Sequence, residues 1–252
     1  MWMQILIAAG LKPIGEQFSD TWEETLKDAN PSGFWESFFR RGINYHTNPH
    51  PESGAYLFPH QTRRHVVKVF IPGLVHSDRA YIDHVVGTLR PWREYEASLH
   101  RMFALEVQEY GRSLTQASMI PPHLHWWTEN FSLIRDIAIK QYPVSLSTYD
   151  ALLEDPEKVI TQTLQWLGCG DARAAIAAVK PEHRTQQGAQ SDSFEPEVAQ
   201  FCDELYETID RRAPLGTSFV ERLNECDELL IDRVREEERK AKERMATFKE
   251  VP

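Results

Sequence analysis

Apolar positions recur along the chain in two spacings. Ile5, Leu6, Ala8 and Ala9 give residues 1–11 an apolar helical face, and Gly10 suits its C-cap. Residues 66–71 are apolar throughout apart from Lys68, and residues 85–89 and 144–148 are short runs of the same kind. Three strands are expected there. Tyr95, Leu99, Met102 and Phe103 predict a helix over 91–110, with Pro91 in its first position. Phe131, Ile134, Ile137 and Ala138 predict a helix over 130–141. Val159, Ile160, Leu164 and Leu167 predict one over 156–167, closed by Gly168. Further helices are expected over 171–179, 196–210 and 218–247, the last opening on a capping box of Ser218 and Glu221.

Between these elements, residues 15–59 are rich in aromatic residues, proline and glycine. They predict a loop-rich cap with one short helix near 22–26. Residues 112–127 read as irregular and 186–194 as a polar loop. No internal repeat is visible. Strands that alternate with helices and are apolar on both faces point to an α/β fold. The expected form is a three-layer parallel sheet flanked by helices, with a helical C-terminal extension. The whole chain, 1–252, reads as one domain: a core over 1–187 with its cap at about 15–62, then C-terminal helices over 195–252.

Composition narrows the chemistry. With 41% hydrophobic residues the chain can build a sizeable core, and its formal net charge of −10 argues against nucleic acid or an anionic membrane as partner. No apolar run approaches the ~20 residues of a membrane span. Residues 1–10 lack a basic leader. Cys169, Cys202 and Cys226 are odd in number and far apart, which suits free thiols in a reducing, cytoplasmic setting. The charged residues of 232–244 predict a solvated helix face with pairs at i, i+4.

Arg90 falls at the carboxyl end of the 85–89 strand, and Ser98 falls about two turns into the next helix. In an open α/β sheet that end is where ligands bind, and a guanidinium facing a hydroxyl suits a phosphate. Lys68 on an apolar strand calls for an anionic partner. His123 and His125 have metal-like spacing but no third ligand, and read as loop histidines beside Trp126 and Trp127. No metal is expected. His46, His50 and His60 share one loop. No Gly-x-x-x-x-Gly-Lys-(Ser/Thr) occurs, and Pro214-Leu-Gly-Thr-Ser218 is better read as a helix start.

Four blocks taken together resemble the sulfotransferase family, especially its bacterial-type members. They are Asp28-Ala-Asn-Pro-Ser-Gly-Phe-Trp-Glu36, His65-Val-Val-Lys-Val-Phe-Ile-Pro72, Leu89-Arg-Pro-Trp-Arg-Glu-Tyr-Glu-Ala-Ser98 and Ser147-Thr-Tyr-Asp-Ala-Leu-Leu-Glu-Asp-Pro156. The resemblance implies a P-loop-type fold and sulfuryl transfer from 3′-phosphoadenylyl sulfate (PAPS) to a hydroxyl or amine of a small-molecule or carbohydrate acceptor. It implies that Arg90 and Ser98 hold the 3′-phosphate, that Tyr149 lies near the adenine, and that Lys68 meets the transferred group. It also makes Arg184 a late basic contact.

Two departures matter. The family histidine two places after the lysine is here Phe70, so a base must come from Glu36, His60 or His76, candidates by residue type. The family's opening strand and Pro-(Lys/Arg)-Ser-Gly-Thr loop, which wraps the 5′-phosphosulfate, has no counterpart before the 1–11 helix. A sheet lacking that strand is expected to have unpaired edges. The alternatives are therefore a truncated or inactive scaffold of the same fold and, less well supported, another P-loop-type nucleotide-binding protein.

Overall fold

The computed structural model describes residues 1–18, 33–181, 184 and 187–250. In chain order its helices and strands begin with α1 (Trp2–Ala8), β1 (Lys12–Ile14), β2 (His65–Val67), α2 (Ile71–His76) and β3 (Val85–Leu89). Next come α3 (Trp92–Tyr110), α4 (Leu114–Ser118), α5 (Pro122–Lys140), β4 (Val144–Thr148) and α6 (Tyr149–Glu154). The chain ends with α7 (Pro156–Leu167), α8 (Ala172–Ala177), α9 (Pro196–Asp210) and α10 (Thr217–Glu250). It is an α/β protein with two compact units. The first comprises Met1–Thr88 and Ser132–His183, and the second Leu89–Phe131 and Arg184–Pro252.

In the first unit β1 runs parallel to β2, with Lys12 opposite His65 and Ile14 opposite Val67. Strands β3 and β4 form a second two-stranded sheet. Four described strands thus make two small sheets, where the sequence reading expected a single one. Strand β1 escapes a pattern search because it is three residues long and contains Pro13. Strand β2 stops at Val67, short of the expected 71. Pro72 sits in the first turn of α2, where its fixed φ favours helix, so Ile71 is helical and Phe70 is the N-cap. Lys68 accordingly lies past the strand end.

The core of this unit joins Ile5 and Leu6 of α1 to Leu152 of α6 and to Val159, Ile160 and Leu164 of α7. Each such side chain contributes about 1.5–3 kcal/mol on burial. Helix α1 is shorter than the expected 1–11, and Gly10 adopts φ 99° after it. Gly168 caps α7 in the left-handed conformation as expected. Asp171 precedes α8 and accepts its Ala174 N–H at 3.1 Å. The short helix expected near 22–26 lies outside the described residues.

The second unit contains the largest correction. Residues 112–127, read as irregular, hold α4 and the first turns of α5, so His123 and His125 are helical. The histidines and tryptophans of this stretch hide the period, because they pack as core while looking polar. Trp92, Trp126 and Trp127 are almost fully buried. Their indole N–H groups donate to Asp203, to the Arg90 carbonyl and to Asp227 at 3.0, 2.9 and 3.0 Å. Buried indoles need such acceptors. Val198, Phe201, Leu205 and Ile209 form the buried stripe of α9. Pro91 is the N-cap of α3, one place before the position expected for it. Gly216, not Ser218, caps α10: the N–H groups of Phe219 and Val220 donate to its carbonyl. On α10 the expected i, i+4 spacing appears in Arg239–Glu243 and Lys240–Glu236, beside the i, i+3 pairs Arg235–Asp232 and Arg239–Glu236, all exposed. Cys169, Cys202 and Cys226 are unpaired thiols. Burial pushes the Cys226 thiol up to about 12. No helix among the described residues is long and apolar enough to cross a membrane.

Candidate functional site

Sequence-singled residues fall into both units, and each unit is described by itself. In the second unit, Arg90 directly follows β3, and Pro91 fixes the turn into α3. Ser98 lies two turns on, on the same helix face. Arg90 Nη1 donates to Ser98 Oγ at 3.3 Å, and the Arg90 carbonyl is held by the Trp126 indole. Both clamp side chains are half-buried and both present hydrogen-bond donors. Such a pair fits an oxyanion.

Arg184 is held by Glu94 at 2.6 Å, and the same Glu94 oxygen accepts the Gly188 N–H at 3.3 Å. Glu94 is buried on the first turn of α3. Its bonds to Arg184 and Gly188 tie these two residues to the helix that carries Ser98.

Two polar clusters were not singled out in the sequence. The first joins Tyr95 of α3 to His125 and Glu129 of α5. Tyr95 Oη and His125 Nδ1 are hydrogen-bonded at 2.7 Å, and Glu129 Oε2 lies 3.7 Å from the same nitrogen. Burial lowers His125 to about 4, so its ring is neutral near pH 7. Burial raises Glu129 to about 7, and the Tyr95 phenol is pushed up as well, again chiefly by burial. The Arg90 charge acts on Tyr95 in the opposite direction. The second cluster centres on Glu96, which accepts from His123 at 3.1 Å, from Ser193 at 2.8 Å and from Ser191. Arg233 donates to His123 Nε2 at 3.1 Å, so Nδ1 carries the proton given to Glu96. Burial works against the Glu96 carboxylate, but these hydrogen bonds outweigh it and lower Glu96 to about 2. The signal was present as Glu and His at i, i+4 or on facing helices. It was lost because 112–127 did not read as helix.

In the first unit, Lys68 and Glu36 meet. Lys68 Nζ donates to Glu36 Oε1 at 3.0 Å and Arg40 Nη1 donates to Glu36 Oε2 at 2.7 Å. The ammonium lies 5.8 Å from the Phe34 ring centroid and 5.3 Å from that of Phe70. Glu36 is buried, while Lys68 and Arg40 are each about a third exposed. The backbone there is tightly specified. Glu36 bridges Glu16, and a Cβ on Gly15, which has φ 124°, would meet the Glu36 carbonyl oxygen at 2.7 Å. Trp35 has φ 53°, a conformation that costs a bulky residue energy and is kept only where its surroundings impose it.

The remaining candidates stand apart from this cluster in sequence and setting. His76 is exposed at the C-terminus of α2, its Nδ1 bonded to the Pro72 carbonyl at 2.6 Å. His60 is exposed on the 310 turn Pro59–Thr62, stacked 5.7 Å from Phe58. Tyr149 is the first residue of α6, whose N-cap Thr148 accepts the Ala151 N–H at 3.1 Å. Among the described residues no group of three or more His, Cys, Asp or Glu is placed to hold a metal ion. Compared with family models, with curated proteins and with solved structures, the chain matches none.

Proposed function

We propose that this chain is a sulfotransferase-type protein that binds a nucleotide carrying a 3′-phosphate, with PAPS as its sulfuryl donor. One observation carries the reading: the guanidinium of Arg90, at the end of β3, and the hydroxyl of Ser98, on α3, converge to 3.3 Å. Two donors at a strand's carboxyl end are what a phosphate dianion requires, and a charge-assisted pair there is roughly twice as strong as neutral bonds. Helix α3 fixes the geometry, because Ser98 cannot leave the helix face and the Arg90 backbone is pinned by Trp126.

In the transfer itself, the acceptor oxygen or nitrogen bonds to sulfur, the bond from sulfur to the phosphate oxygen breaks, and the acceptor's proton passes to a base. Lys68 is the group assigned to offset charge on the transferred sulfuryl oxygens. Glu36 is a poor candidate for the base while both of its oxygens accept from cations. His60 and His76, each with an exposed ring, are the better candidates of the three.

A second reading, a scaffold that binds nucleotide without turnover, is favoured by the strand arrangement. The described strands form two separate pairs instead of one continuous sheet. Titration calorimetry with adenosine 3′,5′-bisphosphate, on the wild type and Arg90→Ala, tests the shared claim. Binding by the wild type that weakens at least roughly tenfold in Arg90→Ala is expected. Absent or equal binding would remove the assignment. Transfer of the labelled sulfuryl group from PAPS to a panel of hydroxyl acceptors then separates the two readings.

A further inference from the structure

Residues 53–62 carry no Asp, Glu, Lys or Arg, in a chain that is 26% charged. This neutral stretch exposes Tyr56, Phe58 and His60 on one side and turns Leu57 inward. Residues 56–58 alternate as an extended segment does, and His60 lies on the 310 turn Pro59–Thr62 that follows. Tyr56 and Phe58 are each 49% exposed. Their ring centroids are 4.8 Å apart with planes tilted by 59°, and Phe58 and His60 are 5.7 Å apart with planes 25° from parallel. Three rings thus follow one another along the surface at near-regular steps.

The row is held rigidly from behind. The Asn48 side chain pairs with the Leu57 backbone in both directions, Oδ1 accepting its N–H and Nδ2 donating to its carbonyl, both at 2.8 Å. Tyr81 Oη donates to the same carbonyl at 2.6 Å and accepts from Asn48 Nδ2 at 2.8 Å. The Gln61 side chain accepts the Phe58 N–H at 2.8 Å, and the Phe58 carbonyl accepts the Gln61 N–H at 2.9 Å. These bonds hold the backbone behind the rings, and a surface pre-organised in this way lowers the entropy cost of binding.

We infer that the Tyr56–Phe58–His60 row is a binding surface for a neutral carbohydrate chain. Pyranose rings present C–H faces that stack on aromatic faces, and a chain of them repeats at about the spacing of these rings. Tyr56 Oη, 3.3 Å from Tyr81 Oη, and the His60 ring nitrogens supply the hydrogen bonds that sugar hydroxyls need at the ring edges. Charge decides among the other occupants. Stacked nucleobases come with a phosphate backbone that needs a basic groove, and this row has no cation within it on a chain of net charge −10. A neutral polyhydroxyl ligand has no such requirement. The inference stands on the first unit alone and does not rest on the nucleotide reading.

The test is calorimetric titration of the full chain with cellohexaose and chitohexaose. The proteins compared are the wild type, Tyr56→Ala/Phe58→Ala and Arg90→Ala. Both substituted rings are solvent-exposed, and an unchanged circular dichroism spectrum and melting temperature will verify the fold. The expected result is saturable binding of at least one of these oligosaccharides. It weakens roughly tenfold or more in the double variant and is unchanged in Arg90→Ala, which separates this surface from the nucleotide clamp. No binding of either sugar, or equal binding by the double variant, overturns the inference. Binding confined to heparin oligosaccharides overturns it too, as does self-association that the double variant abolishes.

Discussion

At the scale of single residues, Glu36 is the position whose surroundings are most tightly determined. It is buried, and its oxygens are shared between Lys68 and Arg40 at 3.0 and 2.7 Å. Removing one partner of such a carboxylate costs more than the pair contributes, since the charge is left with part of its solvation unreplaced. Lys68→Met is expected to lower unfolding free energy by about 1–3 kcal/mol, and adding Glu36→Gln should recover part of that loss. Urea denaturation of the two single variants and the double variant measures the coupling, and strict additivity would show that the pair does not interact. Gly15→Ala places a side chain against the Glu36 carbonyl at φ 124°, and more than about 1 kcal/mol should be lost there. Lys68 as a candidate was legible in the sequence because a lysine in an apolar run is uncommon. Its pairing with Glu36 was not, because the two residues are 32 positions apart in sequence.

Among the elements, α5 shows most clearly what patterning conveys and what it hides. Its second half has ordinary apolar periodicity and read as a helix. Its first half, rich in tryptophan and histidine, did not, although it carries the buried partners of α3. That half also yields a pH prediction with two opposed parts. Glu129 is raised to about 7 in the fold, so its contribution to stability is present below its ordinary 4.5 and is lost as pH rises through 7. His125 is lowered to about 4, so its contribution is present above its ordinary 6.5 and is lost as pH falls through 4. The two slopes oppose each other between about 4 and 7. Glu129→Gln should leave stability rising with pH across that window, and His125→Gln should leave it falling. Melting temperatures taken from pH 4 to 7 check this, and parallel profiles for the two variants would refute it. The charged ladder on α10 behaves differently. Most of its pairs are exposed, and such pairs contribute about 0–1 kcal/mol each and are screened by salt. The helix is held instead by Leu223, Leu230 and Val234, which are buried.

For the molecule as a whole, the α/β class followed from strands that alternate with helices, while the sheet organisation did not. Three of the four described strands were legible as β-branched runs at 66–67, 85–89 and 144–148. Strand β1 was not, because three residues including a proline give no period. Pairing between strands is a non-local property, and the described strands form two separate pairs, β1 with β2 in parallel and β3 with β4, where patterning suggested one sheet. The clamp was the most legible part of the candidate site, since Arg90, Pro91 and Ser98 sit in one strand–helix junction whose geometry local sequence determines. The measurement that bears most directly on the proposed function compares two nucleotides on this clamp. Affinity for adenosine 3′,5′-bisphosphate and for adenosine 5′-monophosphate, which differ only in the 3′-phosphate, should differ by roughly tenfold or more in the wild type. That preference should collapse to near parity in Arg90→Ala. Equal affinities in the wild type, or a preference that survives Arg90→Ala, would contradict the account.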